Sequence, residues 1–360
     1  NSLTTSQFLV KFLKIWYDKN IEYEKIEQAY NLLLENVQTI QNQLGTNIYD
    51  AMIEQNAAYV AGQHETELVL NNNQILRELA LTKEEWRRAY QFLLIKANQT
   101  EPMQYNHQFT PDSIGFILSF LVDQLVSTPR VTVLEIGSGT GNLAQTILNA
   151  SQKELDYLGI EIDDLLIDLS ASIADVMGAA ISFAQGDAVR PQILKESQVI
   201  LGDLPIGYYP DDQIASRYQV ASPNEHTYAH HLLMEQSLKY LEKDGFAILL
   251  APNDLLTSPQ SDLLKGWLQE QANIVAMIAL PPNLFGKAAM AKSIFVLQKK
   301  AARPLTPFVY PLQSLQEPEA IQKSIVNVKS WKQEHATWMN ICYTGGDKAW
   351  RQVWAVIHNW

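Results

Sequence analysis

The sequence has little cysteine, no long apolar run and no excess of basic side chains. Its single cysteine, Cys342, excludes a disulfide framework and a cysteine-rich metal site, and it fits a reducing compartment. A helix that crosses a membrane needs about 20 apolar residues, and neither such a run nor a secretory leader is visible. We therefore expect a soluble, cytoplasmic protein with no membrane partner.

Acidic side chains outnumber basic ones by 39 to 27, for a formal net charge of −12. Residues 101–300 hold most of the imbalance, with 12 basic and 23 acidic side chains. Because DNA binding draws much of its affinity from neutralising phosphates, this composition disfavours a broad nucleic-acid surface. Only local basic patches remain, formed by Arg87 with Arg88, Lys287 with Lys292, and Lys299 with Lys300 and Arg303.

Residues 1–100 are predicted to form a helical N-terminal domain. The segment IEQAYNLLLENVQTIQNQL spaces its apolar residues at helical intervals, and Thr82 with Glu85 predicts a capping box before KEEWRRAYQFLLIKA. We expect this domain to cover a sheet edge, to form a homodimer face or to bind a recognition partner.

The stretch VTVLEIGSGTGNLAQTIL, residues 131–148, joins an apolar strand to a helix through a loop with three alternating glycines. Glycine lets the backbone turn tightly and approach a ligand without a Cβ atom in the way. A strand, glycine loop and helix in this order are typical of a nucleotide site. The residues expected to contact a cofactor here are Glu135, Gly137, Gly139, Gly141 and Asn142.

The spacing of this loop separates two kinds of nucleotide. A nicotinamide cofactor expects G-x-G-x-x-G, with its pyrophosphate on the helix N-terminus, whereas the pattern here is E-x-G-x-G-x-G. A carboxylate at Glu135 repels a pyrophosphate and attracts the ammonium end of an amino-acid ligand. The loop therefore favours S-adenosylmethionine over NAD. The alternative is a tight strand-to-helix turn without a ligand.

Two further strand ends carry acidic residues. Glu161, at the end of LDYLGIEID, lies 20 residues after Gly141, a spacing that suits a ribose-binding carboxylate. Ile162 would then cover one face of the adenine. The next strand, ISFAQGDA, ends in Asp187 and Ala188, where the carboxylate would accept a hydrogen bond from the adenine amino group. The simpler interpretation of each acid is a solvated strand end.

The fourth apolar strand, SQVILGDLP, leads into DLPIGYYP, residues 203–210. Here the chain resembles the amino-methyltransferases whose fourth strand carries (N/D)-P-P-(Y/F), especially the adenine-N6 DNA methyltransferases of the type I modification-subunit kind. Three other segments match that group in order: HQFTPDSIGFIL, AILLAPNDLL and IVAMIALPPNLFGKAAMAKSIFVLQKK. Together they cover about residues 105–300. A small group with D-L-P-x-G-Y-Y-P and an N-terminal helical region is the closest in pattern.

The resemblance implies an α/β fold with a doubly wound, seven-stranded Rossmann-like methyltransferase sheet. It also implies S-adenosylmethionine as the cofactor, with Phe109 and Thr110 beside it. The expected reaction is methyl transfer to the N6 amine of an adenine flipped out of DNA. Asp203, which would also contact the cofactor, accepts one N–H of that amine, and the main-chain carbonyl of Leu204 accepts the other. The resemblance implies no metal.

The motif departs from the family pattern at two positions. Leu204 replaces the first proline and Ile206 replaces the aromatic residue, while Pro205 keeps the second proline. That aromatic ring stacks on the target base, and stacking contributes about 1 to 3 kcal/mol per base. We expect Tyr208 or Tyr209 to supply the missing ring. The alternative is that both tyrosines pack the loop.

These departures and the acidic charge keep other functions open. The same acid and carbonyl suit any planar amide or amine, so protein-glutamine or RNA methylation is one alternative. A cofactor-binding regulatory protein without catalysis is another. A basic strip beside Tyr208 would favour nucleic acid, an acidic or apolar mouth a protein, and a mouth plugged by side chains an inactive protein.

From residue 131 onward strands and helices alternate, as a parallel sheet requires. SIFVLQKK is the expected last strand, antiparallel in a hairpin at one edge, and Thr110-Pro111 and Ser222-Pro223 are expected helix starts. A methyltransferase domain over residues 101–303 would precede an extension over residues 304–360 that packs on the core through a helix with Trp350 and Trp354. The histidines predicted to be structural, because no metal-ligand spacing surrounds them, are His226, His230 and His231.

Overall fold

A computed structural model describes residues 22–103, 109–285, 290–300, 307–315 and 317–338. Within these ranges the chain begins with helices only, and strands then alternate with helices. The helices are α1 Tyr23–Leu44, α2 Ile48–Ala61, α3 Glu67–Glu78, α4 Lys83–Thr100, α5 Asp112–Leu125, α6 Asn142–Ala150, α7 Asp164–Met177, α8 Asp212–Ala215, α9 Ala229–Lys239, α10 Ser261–Gln271 and α11 Pro318–Trp338. The strands are β1 Arg130–Ile136, β2 Glu154–Glu161, β3 Ile181–Gln185, β4 Ser197–Asp203, β5 Leu241–Pro252, β6 Ala272–Ala279, β7 Lys292–Lys299 and β8 Phe308–Pro311.

The strands form one sheet in the order β3-β2-β1-β4-β5-β7-β6-β8. β4 pairs in parallel with β1 and with β5, and β2 pairs in parallel with β3. β7 runs antiparallel to both of its neighbours, β5 and β6. The predicted α/β fold is therefore confirmed, including the reversed SIFVLQKK strand. None of the described helices is long and apolar enough to cross a membrane.

The expected sheet is wrong in its number of strands. It has eight described strands instead of seven, so β7 is not the last strand. The β6–β7 hairpin lies outside β5, and the added strand, β8, comes from the 304–360 segment and pairs in parallel with β6 beyond the hairpin. All eight residues of β6 are buried, and unpaired backbone groups on a buried strand are costly. Pairing with β8 covers the outer side of β6 at Ala276–Ala279.

The two predicted proline helix starts have different outcomes. Thr110-Pro111 directly precedes α5, which begins at Asp112. The Ser222-Pro223 start is wrong, because the next helix, α9, begins only at Ala229. The Ser222 backbone N–H instead donates to Thr227 Oγ1 at 2.9 Å, so the expected capping residue belongs to the preceding turn.

The described residues fall into two compact units. One comprises residues 22–103, 109–120 and 137–187, and the other comprises residues 121–136 and the described residues from 188 onward. In the first unit, α7 contributes Leu169, Ile173, Val176 and Met177 to the same hydrophobic core as helices α1–α4. In the second, β4, β7 and residues 247–252 of β5 are mostly buried. The predicted domain boundaries at residues 100 and 303 stay a prediction.

The capping box predicted at the start of α4 is confirmed. Glu85 N donates to Thr82 Oγ1 at 3.2 Å, and Thr82 N donates to Glu85 Oε2 at 2.8 Å. Buried amides also fix the order of the first helices, because Asn36 donates to Gln55 at 2.9 Å and Gln55 donates to Asn73 at 2.6 Å. Such polar contacts must be satisfied when buried, so they favour one arrangement of α1, α2 and α3.

Arg87 places a buried charge between α4 and α5. Its guanidinium, 2% exposed, binds Glu84 at 2.7 Å and Asp112 at 2.9 Å. Burial of Glu84 disfavours its charged form, but the hydrogen bonds and the charge of Arg87 leave its pKa lowered. The Arg87 charge is used within the fold, so it is not available to a phosphate.

Replacing Arg87 by Met should lower the free energy of unfolding by about 3 kcal/mol, because two partly buried carboxylates lose their counter-charge. Urea denaturation at pH 7 measures this change. Lys25→Met is the matched control, since Lys25 pairs with Glu22 where the two side chains are 34% and 61% exposed, and pairs near the surface contribute about 1 kcal/mol or less. Equal losses in the two variants would contradict the structural role of Arg87.

Candidate functional site

The glycine loop after β1 adopts a left-handed backbone. Gly137, Gly139 and Gly141 have φ values of +72°, +52° and +74°, which glycine adopts without steric cost. A Cβ atom on Gly137 or Gly139 would meet no atom within 4 Å. The N–H groups of Gly137 and Ser138 both donate to Ile160 O, at 2.8 and 2.9 Å. Hydrogen bonds to β2 thus hold the loop in place, while the Cβ positions of Gly137 and Gly139 meet open space.

Glu161 holds this loop with a buried carboxylate. Its Oε2 accepts the Gly139 N–H at 2.9 Å, and its Oε1 accepts the N–H groups of Ile162 and Asp163 at 2.8 and 3.1 Å. A carboxylate has about four acceptor positions, so capacity remains for a ligand hydroxyl. Ile162 next to it is 61% exposed. An apolar side chain in this position suits the predicted contact with an adenine face.

Two buried polar atoms at the loop have no hydrogen-bond partner among the described residues. They are Ser138 Oγ and Asn142 Nδ2, on side chains that are 5% and 8% exposed. A buried polar group without a partner costs about 1 to 3 kcal/mol. A polar ligand bound at the loop would remove that cost.

The other predicted cofactor residues lie at strand ends or beside a helix. Glu135 is 1% exposed near the end of β1. Asp187 is half-buried and Ala188 buried, two and three residues after β3. Thr110 is buried before α5, and Phe109 packs against the helical core of its own unit.

The end of β4 carries two acceptors that converge on one nitrogen. Lys292, the first residue of β7, hydrogen-bonds through Nζ to Asp203 Oδ1 and to the main-chain oxygen of Leu204, the latter at 2.8 Å. The side chains of Lys292 and Asp203 are 11% and 20% exposed. The sequence suggested Asp203 and Leu204 as such a pair but treated Lys292 as part of a basic patch. A lysine within the apolar run AMAKSIFVL is the signal that this interpretation missed.

Stacked aromatic rings extend from the protein surface to the loop that follows β4. Tyr208, 55% exposed, stacks on Tyr228 with ring centroids 4.7 Å apart and planes 11° apart, and Tyr228 stacks on His230 at 5.0 Å. His230 Nδ1 lies 3.3 Å from Pro205 O. Burial lowers the pKa of His230 to about 4, so its ring is neutral at pH 7. Tyr209, by contrast, is 7% exposed.

The surroundings of these rings are acidic. A hydrogen bond with Tyr208 and burial raise the pKa of Tyr228 to about 12, and the charges of Asp254 and Glu225 add to the effect. The suggested basic patches are used elsewhere: Lys299 pairs with Glu196 at 2.9 Å, and Lys300 donates to Gln269 O at 2.7 Å. Lys287 and Arg303 lie outside the described residues, as do Trp350 and Trp354.

One family profile matches most of this chain. The profile of the N-6 DNA methylases matches residues 82–344. The chain belongs to this N-6 DNA methylase family. The uncharacterized protein YtxK of Bacillus subtilis is similar to it, with 30% identity over 276 residues that cover 73% of this chain and 83% of YtxK.

Solved structures agree on the fold. A Listeria monocytogenes protein assigned to the class I S-adenosylmethionine-dependent methyltransferases is similar with a TM-score of 0.79 and 26% identity, over 86% of this chain and all of that one. A type I restriction-modification methyltransferase subunit from Streptococcus thermophilus has a TM-score of 0.58 and 15% identity, over 85% and 74% of the two chains. The protein is therefore an S-adenosylmethionine-dependent methyltransferase.

The loop residues fit this cofactor. The backbone at Gly137 and Gly139 is open, the Asn142 amide nitrogen lacks a partner, and Ile162 is exposed beside Glu161. We expect these residues to hold the cofactor, with Glu161 orienting both the loop and the ribose.

Replacing Gly139 by Leu should weaken S-adenosylmethionine binding by at least about 100-fold, or about 3 kcal/mol. The new side chain would occupy the open side of the loop and strain a φ of +52°. Calorimetric titration measures the affinity. Gly178→Leu is the matched control, because Gly178 has a φ of +58° and equally open surroundings but caps α7. Unchanged binding in Gly139→Leu would refute the loop as the cofactor site.

Proposed function

We propose that this protein methylates an amino nitrogen, and that its substrate is the N6 amine of an adenine in DNA. The observation that carries the proposal is the convergence of Asp203 Oδ1 and Leu204 O on one nitrogen atom, at present Lys292 Nζ. Two acceptors in this arrangement suit the two N–H bonds of an exocyclic amine. The N-6 DNA methylase family supports the choice of adenine.

The residues at this site have simple tasks. S-adenosylmethionine supplies an activated methyl group when it is bound. Asp203 and the Leu204 carbonyl each accept a hydrogen bond from one N–H group of the amine. These two hydrogen bonds orient the nitrogen and increase its electron density. The carboxylate of Asp203 also stabilises the positive charge that develops on the nitrogen as the N–C bond forms and the S–C bond breaks. The sulfonium would thereby become a neutral thioether, and the methylated nitrogen loses its extra proton to solvent.

In open α/β sheets, ligands bind beyond the carboxyl ends of the strands. The glycine loop directly follows β1, and Asp203 is the last residue of β4. Each of the two predicted groups of residues thus lies at a strand end of this kind.

Tyr208 is the proposed stacking residue for the flipped base. One face of its ring lies on Tyr228, and the side chain is 55% exposed. Tyr209 is buried, and its N–H donates to Thr227 O at 2.8 Å. We therefore assign to Tyr208 alone the role that Ile206 does not fill.

One observation favours a second candidate function, the methylation of a protein glutamine amide. The negative charges of Asp254 and Glu225 help to raise the pKa of Tyr228, whose ring stacks on Tyr208. Arg87 and Lys299 form ion pairs within the protein. Phosphate binding needs free basic groups, whereas a neutral amide does not. If the substrate is DNA, basic groups from a recognition partner would add phosphate contacts.

The helical N-terminal region is the proposed docking surface for such a partner. Apolar side chains are at least one-third exposed on α1–α4: Tyr23, Leu44, Val60, Leu68, Leu70, Ile75, Phe92 and Ile95.

Transfer of labelled methyl groups from S-adenosylmethionine to DNA, RNA and cell-extract protein tests the proposal. Asp203→Ala should lower kcat by about 10- to 100-fold or more, because a hydrogen bond to a charged group is lost, and cofactor affinity should stay the same. Asp203→Asn is the matched control, since its amide oxygen still accepts an N–H and should preserve more activity. Parent-like turnover in Asp203→Ala would refute the amine-orienting role. A labelled protein pool with unlabelled DNA would favour the second candidate.

Tyr208→Ala should raise KM for adenine-containing DNA by about 10-fold or more, because base stacking contributes about 1 to 3 kcal/mol. Tyr208→Phe keeps the ring and should behave like the parent. Tyr23→Ala removes an exposed tyrosine from α1 and serves as a second control. A normal KM in Tyr208→Ala would show that another group holds the base.

A further inference from the structure

The ammonium of Lys292 makes the contacts that a substrate amine would make. An ammonium has three N–H donors, and Lys292 directs two of them to Asp203 Oδ1 and Leu204 O. The proposed function assigns the same two acceptors to the substrate. Lysine and substrate therefore compete for one position.

Charge and burial favour the lysine in this competition. Both partners of the ion pair are mostly buried, with side chains 11% and 20% exposed. Hydrogen bonds between charged groups are stronger than those made by a neutral amine. A neutral amine cannot replace Lys292 without the loss of this attraction.

The side chain can leave without disturbing the sheet. The Lys292 backbone is held at the start of β7 by its pairing with Pro252 of β5. The ammonium is carried by a flexible chain of four methylene groups that can turn toward solvent. A rotation of this side chain would take the ammonium away from Asp203 Oδ1 and Leu204 O.

We propose that Lys292 is an internal occupant of the amine site, which excludes substrate amines until its side chain moves away. The inference rests on the proposed function for the identity of the substrate but not for the occupancy itself. Lys292 thereby sets which amines gain access to Asp203.

Occupancy can be tested without catalysis. Lys292→Ala leaves Asp203 and Leu204 without their donor, and propylammonium in solution should bind in the vacated space. Saturating propylammonium should raise the thermal midpoint of Lys292→Ala by about 2 to 4 °C. The parent protein, Lys299→Ala and Lys292→Met, whose side chain still fills the space, should show no such rise. Equal responses in all four proteins would overturn the inference.

Exclusion is tested by methyl transfer to an adenine-containing single-stranded oligonucleotide below saturation. Lys292→Ala should be at least about tenfold faster than the parent, the factor expected when a charged hydrogen bond no longer opposes binding. Lys299→Ala, on the same strand, should match the parent, and an oligonucleotide without adenine should stay unlabelled. Activity in Lys292→Ala equal to or below that of the parent would overturn the exclusion.

The two experiments separate the inference from the proposed function. If propylammonium stabilises only Lys292→Ala and no variant methylates DNA, RNA or protein, the occupancy is supported and the proposed function is wrong. If transfer to adenine is found but propylammonium has no selective effect, the proposed function is supported and Lys292 is not an occupant of the amine site.

Discussion

The direction of β7 decides which side chain meets Asp203. Because β7 runs antiparallel to β5, its first residue, Lys292, pairs with Pro252 at the carboxyl end of β5. Its last residue, Lys299, pairs with Ala272 at the start of β6, at the opposite end of the strands. A parallel strand would reverse these positions. The reversal of β7 thus places an ammonium at the proposed amine site.

The two principal acids of the protein are held in different ways. Glu161 accepts three backbone N–H groups, which are fixed by the fold and cannot leave, so its carboxylate is preorganised. Asp203 is held by a flexible lysine side chain. A ligand can add to the remaining acceptor capacity of Glu161, whereas a ligand of Asp203 must displace a bound group. The proposed cofactor site is therefore preorganised, whereas the proposed amine site is occupied by a side chain of the protein itself.

The acidic charge of this protein is unusual for a protein whose substrate is DNA. The family profile and the similar structures establish methyl transfer from S-adenosylmethionine. Residues 101–300 nonetheless carry an excess of acidic side chains, and Arg87, Lys292 and Lys299 make ion pairs within the protein. These ion pairs reduce the positive charge that a polyanion would meet, whereas a neutral protein amide does not need it.

The local sequence pattern determined the secondary structure and the glycine loop of this protein. Strand and helix periods, the left-handed glycines and the reversed strand are set by residues close together in the chain, so the sequence predicted the fold and the loop. Tertiary structure alone decided the rest: β8 completes the sheet, Tyr209 is buried while Tyr208 is exposed, and Lys292 reaches Asp203. These outcomes depend on contacts between distant residues, 89 positions apart for Lys292 and Asp203. A local period carries no information about such pairs, because packing selects them only when the strands assemble.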